Sequence, residues 1–328
     1  ELAGNVLDAS EQIEADEERI ELKAAAERAG DLATAVDAWM SQQVQDAVYW
    51  IETQQRGPHT NTRLASSPID IAPLLREHLF EQVPTAVLTS ATLAVGQDNF
   101  EFSTGRLGLS GARHLRLGSP FDFQSQCRLI LPDRMPDPRQ ATDYSQACSD
   151  AIRRHVSASR GGTLVLFTSY MMLRSCAAEL RDWCAEQGRP LFCQGGTLSR
   201  TLMLERFRRE PGGVLFGTES FWQGIDVPGE ALETVIITRL PFSVPDHPLL
   251  EARLERIRSQ GGDPFVEYQL PEAVLKLKQG FGRLIRRATD SGRVVILDPR
   301  IRTKPYGGVF LESLPECRVE TEENWDDV

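Results

Sequence analysis

The sequence predicts an α/β fold with a mainly parallel sheet, preceded by a helical hairpin. Residues 7–55 repeat apolar side chains at helical spacing beneath acidic outer faces. Further on, short runs rich in β-branched residues alternate with helical segments, the pattern of a sheet covered by helices on both faces. Hydrophobic residues make up 41% and charged residues 25% of the 328, ordinary values for a globular protein. No apolar run approaches the ~20 residues that a membrane-spanning helix needs.

The hairpin rests on Leu7, Ile13, Ile20 and Leu22, then on Leu32, Val36, Trp39, Met40 and Val44. Gly30-Asp31 is expected to separate its two helices, with Asp31 as N-cap. Residues 57–68 are polar and contain both Gly and Pro, so they read as a linker. Strands are expected at 86–88, 128–131, 163–167, 214–216, 234–237 and 294–297, and helices at 144–157, 171–187, 198–209, 249–259 and 271–287. Ligands on such sheets sit beyond the carboxyl ends of the strands, so the residues following them carry the functional reading. The acidic stretch after Ser313 reads as a frayed end.

The formal net charge is −11, but it is unevenly spread. Residues 1–60 hold 13 acidic and 4 basic side chains, residues 312–328 hold 7 and 1, and residues 61–311 hold 27 and 31. The central part is therefore mildly basic, which suits phosphate binding better than the average suggests. The six cysteines form no CxxC pair and no metal-ligand spacing, so reduced thiols of a cytoplasmic protein are expected, with no metal and no iron–sulfur cluster in this chain. The first residue is Glu rather than Met, which suggests a processed chain or a fragment.

Four segments carry chemistry. Residues 89–93 (Thr-Ser-Ala-Thr-Leu) follow the first expected strand; Ser90 and Thr92 offer hydroxyls to a phosphate or a neighbouring domain, or simply form a turn. Thr168 and Ser169 close the strand at 163–167, where they can cap the next helix, hold a nucleic-acid phosphate, or do both. Residues 216–229 form a long Gly-punctuated loop. In it Gly224 allows close approach of a ligand, and Asp226 either accepts a ribose hydroxyl, orients an arginine or stabilises a turn. Phe221 and Trp222 in this loop read as core rather than as a base-stacking platform. The fourth is 279–287 (Gln-Gly-Phe-Gly-Arg-Leu-Ile-Arg-Arg), where a helix to 287 would project Gln279, Arg283 and Arg286 from one face as a clamp for a polyanion. The plainer alternative is a basic last turn that satisfies the helix dipole, and Arg287 fits it. Glycines inside a helix cost about 1 kcal/mol each, so Gly280 and Gly282 call for a packing or functional reason.

In this order the four segments resemble motifs three to six of the superfamily 2 helicases, in particular the DinG/XPD group. The sixth takes its QxxGRxIR form over 279–286. Residues 238–242 (Thr-Arg-Leu-Pro-Phe) with Pro245 and Pro248, and 119–121 (Ser-Pro-Phe), are also similar to that group; the resemblance covers about 63–311. It implies a RecA-like motor. Residues 1–62 would be the end of an arch-type helical insertion, 63–118 the last part of the first motor domain, and 119–328 the second motor domain. By resemblance, Arg286 is an arginine finger on the γ-phosphate of ATP held by the other motor domain, and Arg283 and Gln279 would contact the same phosphates or couple them to closure. Gly224 and Asp226 would line the nucleotide cleft. Ser90 and Thr92 would relay nucleotide state to DNA, and Thr168, Ser169 and Thr218 would touch single-strand backbone. The implied function is ATP-dependent 5′ to 3′ unwinding by a monomeric motor acting on single-stranded or forked DNA in the cytoplasm.

The sequence departs from that pattern in one direction. None of its four lysines follows Gly, so there is no phosphate-loop GK[ST]. Its one internal Asp-Glu pair, Asp16-Glu17, lies on an amphipathic helical stretch and follows no strand. ATP and Mg²⁺ would then be gripped mainly by a half not encoded here, which would also hold any iron–sulfur cluster, and the chain alone would be inactive. A non-catalytic nucleic-acid-binding or regulatory module with a motor-like fold is the alternative. A third reading is an unrelated α/β enzyme such as a nucleotide-sugar transferase. The Gln279–Arg286 cluster, suited to a partner's triphosphate, argues against it.

Overall fold

A computed structural model describes residues 2–13, 15–57, 59–223 and 232–322. Along the chain come α1 (Leu2–Glu11), α2 (Asp16–Met40), β1 (Ala47–Arg56), β2 (His59–Pro68) and α3 (Ala72–Leu75), which runs into a π-helical turn at Arg76–Phe80. There follow α4 (Glu101–Leu107), α5 (Phe123–Gln126), β3 (Cys127–Pro132), α6 (Ala141–Ser157), β4 (Thr163–Leu166), α7 (Tyr170–Glu186) and β5 (Leu191–Cys193). Next are α8 (Arg200–Arg209), β6 (Val214–Gly217), α9 (Glu219–Trp222), β7 (Thr234–Ile237) and α10 (Pro248–Ser259). The last are α11 (Leu270–Phe281), β8 (Gly292–Ile296), α12 (Arg300–Thr303), α13 (Gly307–Ser313) and β9 (Arg318–Glu322). The chain forms two compact units. The first comprises Glu1–Pro84, Arg106–Gly108 and Val244–Pro264, and the second Thr85–Gly105, Leu109–Ser243 and Phe265–Val328.

In the first unit α1 and α2 pack together as the expected helical pair, with the break elsewhere. Helix α1 ends at Glu11 and α2 begins at Asp16, and α2 runs through Gly30 without interruption. The alanines around Gly30 supply helix propensity that outweighs the cost of one glycine. Asp16, Glu17 and Glu18 in the first turn of α2 favour its dipole. Residues 47–56, expected as helix, and 59–68, expected as linker, form an antiparallel hairpin instead, with Ala47 opposite Pro68 and Arg56 opposite His59. The run Val48-Tyr49-Trp50-Ile51 has the β-branched and aromatic character of a strand, and Gly57 takes φ +61 at the turn. Trp39 Nε1 donates to Ala65 O at 2.9 Å, and Trp50 meets His247 edge-on at 5.2 Å between ring centroids. His247 Nδ1 accepts from Leu249 N at the start of α10, where Pro248 has no N–H to lose.

The second unit holds a parallel sheet of seven strands in the order β5-β6-β4-β7-β8-β3-β9. Alternate residues of the inner strands enter two separate cores. Leu129, Leu164, Leu166, Leu215, Val235, Ile237, Val294 and Ile296 face one core, with side chains of α8, α9, α11 and α13. Ile130, Val165, Phe167, Phe216, Ile236, Val295 and Leu297 face the other, with Tyr144, Cys148 and Ile152 of α6 and Leu173 and Leu180 of α7. Burial on both faces is why these strands read as unbroken apolar runs. Each fully buried Leu, Ile or Phe contributes about 1.5–3 kcal/mol. The architecture is the expected RecA-like α/β unit.

Three further expectations are corrected. The run at 86–88 forms no strand. Val87 is 81% exposed, and no segment among the described residues pairs with it. The stretch after Ser313 is not frayed as far as Glu322, because β9 hydrogen-bonds along β3. The helix expected at 271–287 stops at Phe281, with Gly282 as its C-cap.

Candidate nucleotide and nucleic-acid interface

The early end of α11 reorganises the sixth segment. Gln279 lies on the helix, while Arg283 and Arg286 belong to the turns that follow, so the three do not project from one helical face. Arg283 Nε donates back to Gln279 O at 3.0 Å. Leu284 and Ile285 are 1% and 3% exposed and anchor the turn in the core, whereas Arg286 is exposed. Gly280 has the packing reason the sequence called for. A Cβ there would lie 2.9 Å from Trp222 Cε3 and 3.1 Å from Leu166 Cδ1, so only glycine lets α11 settle on the end of β4.

Gln279 also meets the first segment. Its Nε2 donates to Thr92 Oγ1 at 3.4 Å, and the neighbouring Lys278 Nζ donates to Ala94 O at 2.8 Å. Burial pushes the Lys278 ammonium below its ordinary value, helped by the positive charge of Arg116. Ser90 Oγ lies 3.3 Å from Thr92 Oγ1 and accepts from Thr92 N, so residues 90–92 form a hydroxyl turn. Gln279 Oε1 is buried and, among the described residues, accepts no hydrogen bond.

A second group sits at the carboxyl ends of the adjacent strands β4, β6 and β5. Thr168 is exposed after β4. Ser169 caps α7, its hydroxyl accepting from Met172 N at 3.3 Å. Thr218, after β6, is only 4% exposed. Its N–H and hydroxyl both donate to Gln194 Oε1, at 2.7 and 3.0 Å. Gln194 Nε2 in turn donates to Ser220 Oγ at 3.0 Å and to the half-exposed Tyr170 hydroxyl. Gln194 was not legible in the sequence, because the strand before it spans only three residues. Phe221 and Trp222 are core: they are 0% and 4% exposed, and Trp222 Nε1 donates to Phe167 O at 3.1 Å. Gly224 and Asp226 lie outside the described residues.

Sequence reading also missed Asp290. It is 6% exposed, and its Oδ2 accepts from the backbone N–H of both Arg286 and Arg287 at 2.8 Å. The signal was an aspartate four residues beyond Arg286 and just ahead of a strand, a position that favours turn closure.

Among the described residues, no group of three or more His, Cys, Asp or Glu could hold a metal ion. The described side chains therefore assemble neither a magnesium nor an iron–sulfur site. Burial raises the Cys148 and Cys176 thiols, and pushes Cys184 and Cys193 to about 11, so these thiols stay protonated at neutral pH. No helix among the described residues is long and apolar enough to cross a membrane.

The sequence pattern of the helicase C-terminal domain family matches residues 152–317. The chain is 42% identical over 267 residues to the ATP-dependent DNA helicase YoaA of Escherichia coli (strain K12), covering 81% of this chain and 40% of that protein. It is 38% identical over 279 residues to the 3'-5' exonuclease DinG of Bacillus subtilis (strain 168), covering 84% of this chain and 30% of that protein. It thus spans two fifths or less of these relatives. In fold it is similar to an XPD helicase structure, at TM-score 0.62 and 14% identity, over 96% of this chain and 55% of that one. The Xpd4 structure of S. tokodaii gives TM-score 0.53 and 19% identity, over 80% and 49%. The chain belongs to the helicase C-terminal domain family.

Proposed function

We propose that this chain is the C-terminal motor portion of an ATP-dependent 5′ to 3′ DNA helicase, and that it hydrolyses ATP only together with a segment bearing a phosphate loop. The observation that carries the reading is the sixth-motif set: Gln279 on α11, Arg283 folded back onto it, and exposed Arg286 on an anchored turn. A guanidinium is permanently charged and forks onto phosphate oxygens. Presented to the γ-phosphate of ATP held elsewhere, Arg286 stabilises the charge that develops as the phosphoryl group leaves. Arg283 donates to Gln279 O, and Gln279 Nε2 donates to Thr92 in the hydroxyl turn of Ser90 and Thr92. Gly224 and Asp226, outside the described residues, are assigned to nucleotide binding by their place in the sequence motif alone.

Thr168, Ser169 and Thr218 form the single-strand DNA interface. Thr168 offers its hydroxyl directly, Ser169 through the helix start it caps, and Thr218 through Gln194 and Ser220. Two further observations support a missing half: the sequence has no GK[ST], and Val87, Leu115 and Leu117 are each more than three-quarters exposed, as strand residues awaiting neighbours would be. Mg²⁺ belongs to that half, as does any iron–sulfur cluster. The lack of GK[ST] equally suits a non-catalytic nucleic-acid-binding module.

Arg286→Ala in the full-length protein tests the reading. Losing an arginine finger costs about 10³-fold or more in rate, so DNA-stimulated ATP hydrolysis should fall by that factor. Near-normal turnover would reject the assignment.

A further inference from the structure

We propose that Asp290 and Gln126 form a clamp that positions Arg286, fixing the direction in which its guanidinium leaves the fold. The proposal rests on the reading of Arg286 as the residue that meets the nucleotide. Because α11 ends at Phe281, helix geometry does not aim Arg286; the turn does. That turn is held from two sides. On one, Leu284 and Ile285 are buried in the core. On the other, a single carboxylate oxygen, Asp290 Oδ2, accepts the N–H groups of Arg286 and Arg287 at 2.8 Å each, and Asp290 N donates to Arg287 O at 3.1 Å. Hydrogen bonds to an ionised acceptor are roughly twice as strong as neutral ones.

Gln126 contributes from 160 residues earlier in the chain. Its Nε2 reaches three carbonyls of the same turn: Arg287 O at 3.2 Å, Ala288 O at 3.0 Å and Asp290 O at 2.7 Å. Gln126 is the last residue of α5 and directly precedes β3, while Asp290 lies two residues before β8. Those two strands pair from their first residues, Cys127 with Gly292. The clamp therefore roots the Arg286 turn in the paired amino ends of two sheet strands. A reactive group mounted on rigid elements holds its geometry better than one on a free loop. An ordinary closed turn needs only the Asp290 hydrogen bonds; the additional three-carbonyl tie from a distant element serves position.

The test uses the full-length protein and measures kcat and KM for ATP with single-stranded DNA in excess, plus the unfolding midpoint. A displacement of about 1 Å can cost about 10²-fold. Asp290→Ala should therefore lower kcat by about 30- to 100-fold with KM within about threefold, and Asp290→Asn, which keeps an acceptor oxygen, should recover most of it. Gln126→Ala, at a half-buried site, should lower kcat about threefold to tenfold, and it carries the test if Asp290→Ala fails to fold. Adding Asp290→Ala to Arg286→Ala should change nothing further, because the clamp acts through Arg286. Normal kcat in Asp290→Ala or Gln126→Ala beside an inactive Arg286→Ala overturns the clamp alone. So does a double variant worse than Arg286→Ala. Normal turnover in Arg286→Ala overturns the functional reading, and the clamp with it.

Discussion

Gln279 Nε2 donates to Thr92 Oγ1 at 3.4 Å, joining two residues 187 positions apart in the chain. In the proposed motor this contact lies between the residues that sense phosphate and those that sense DNA. Couplings of this kind typically change a linked equilibrium about 5- to 150-fold. Thr92→Val in the full-length protein should lower the stimulation of ATP hydrolysis by single-stranded DNA about fivefold or more. The ratio of rates with and without DNA measures it, and an unchanged ratio would remove Thr92 from the relay.

Gly280→Ala introduces a methyl group 2.9 Å from Trp222 and 3.1 Å from Leu166. Overpacking of this sort costs about 1–3 kcal/mol. Urea unfolding of the variant should show a lower midpoint with an unchanged slope. Equal stability would mean that α11 can shift away from β4.

Trp222 is core, so Trp222→Phe should cost stability and spare DNA binding. The substitution leaves Phe167 O without its donor, at about 1–3 kcal/mol. A base-stacking residue would instead lose about 1–3 kcal/mol of affinity for single-stranded DNA. Fluorescence anisotropy with a labelled oligonucleotide separates the two.

Glu322 ties the edge strand β9 to α6, with Oε1 accepting from Arg154 Nη1 at 3.3 Å and Oε2 lying 3.5 Å from His155 Nε2. The His155 imidazole holds its carboxyl below the ordinary value of 4.5, against the opposing effect of burial, and Arg154 adds to the lowering. A depressed carboxyl contributes stability in full above its ordinary value and loses it as pH falls through the depressed one. Glu322→Gln should therefore be less stable at pH 7 and converge with the parent sequence as pH falls below about 4. A constant difference down to pH 3 would show that the ionised carboxylate is not what holds β9.

The sequence made the sheet legible because strands buried on both faces are continuous apolar runs, and Leu164 to Phe167 or Val235 to Ile237 have no other reading. Short elements escaped. Strand β5 has three residues, and β9 carries charges because it is an edge. The hairpin β1–β2 was hidden by Trp50 and Ile51 continuing a helical apolar spacing. Site residues were legible where a side chain type announces its chemistry, as with Arg286. Those that act by hydrogen-bonding backbone, Asp290, Gln126 and Gln194, have no sequence signature, since their partners are distant main-chain atoms or follow an invisible strand. The end of α11 was misjudged because Arg283, Leu284 and Arg286 continue the helical pattern, whereas the burial of Leu284 and Ile285 requires the chain to turn.

The central claim, that this chain is one part of a split motor site, is tested most directly by measuring ATP hydrolysis by the chain itself, with and without single-stranded DNA. The account predicts DNA binding without turnover in either condition. DNA-stimulated hydrolysis by the isolated chain would mean that it grips ATP through residues other than a phosphate loop, and would contradict the account.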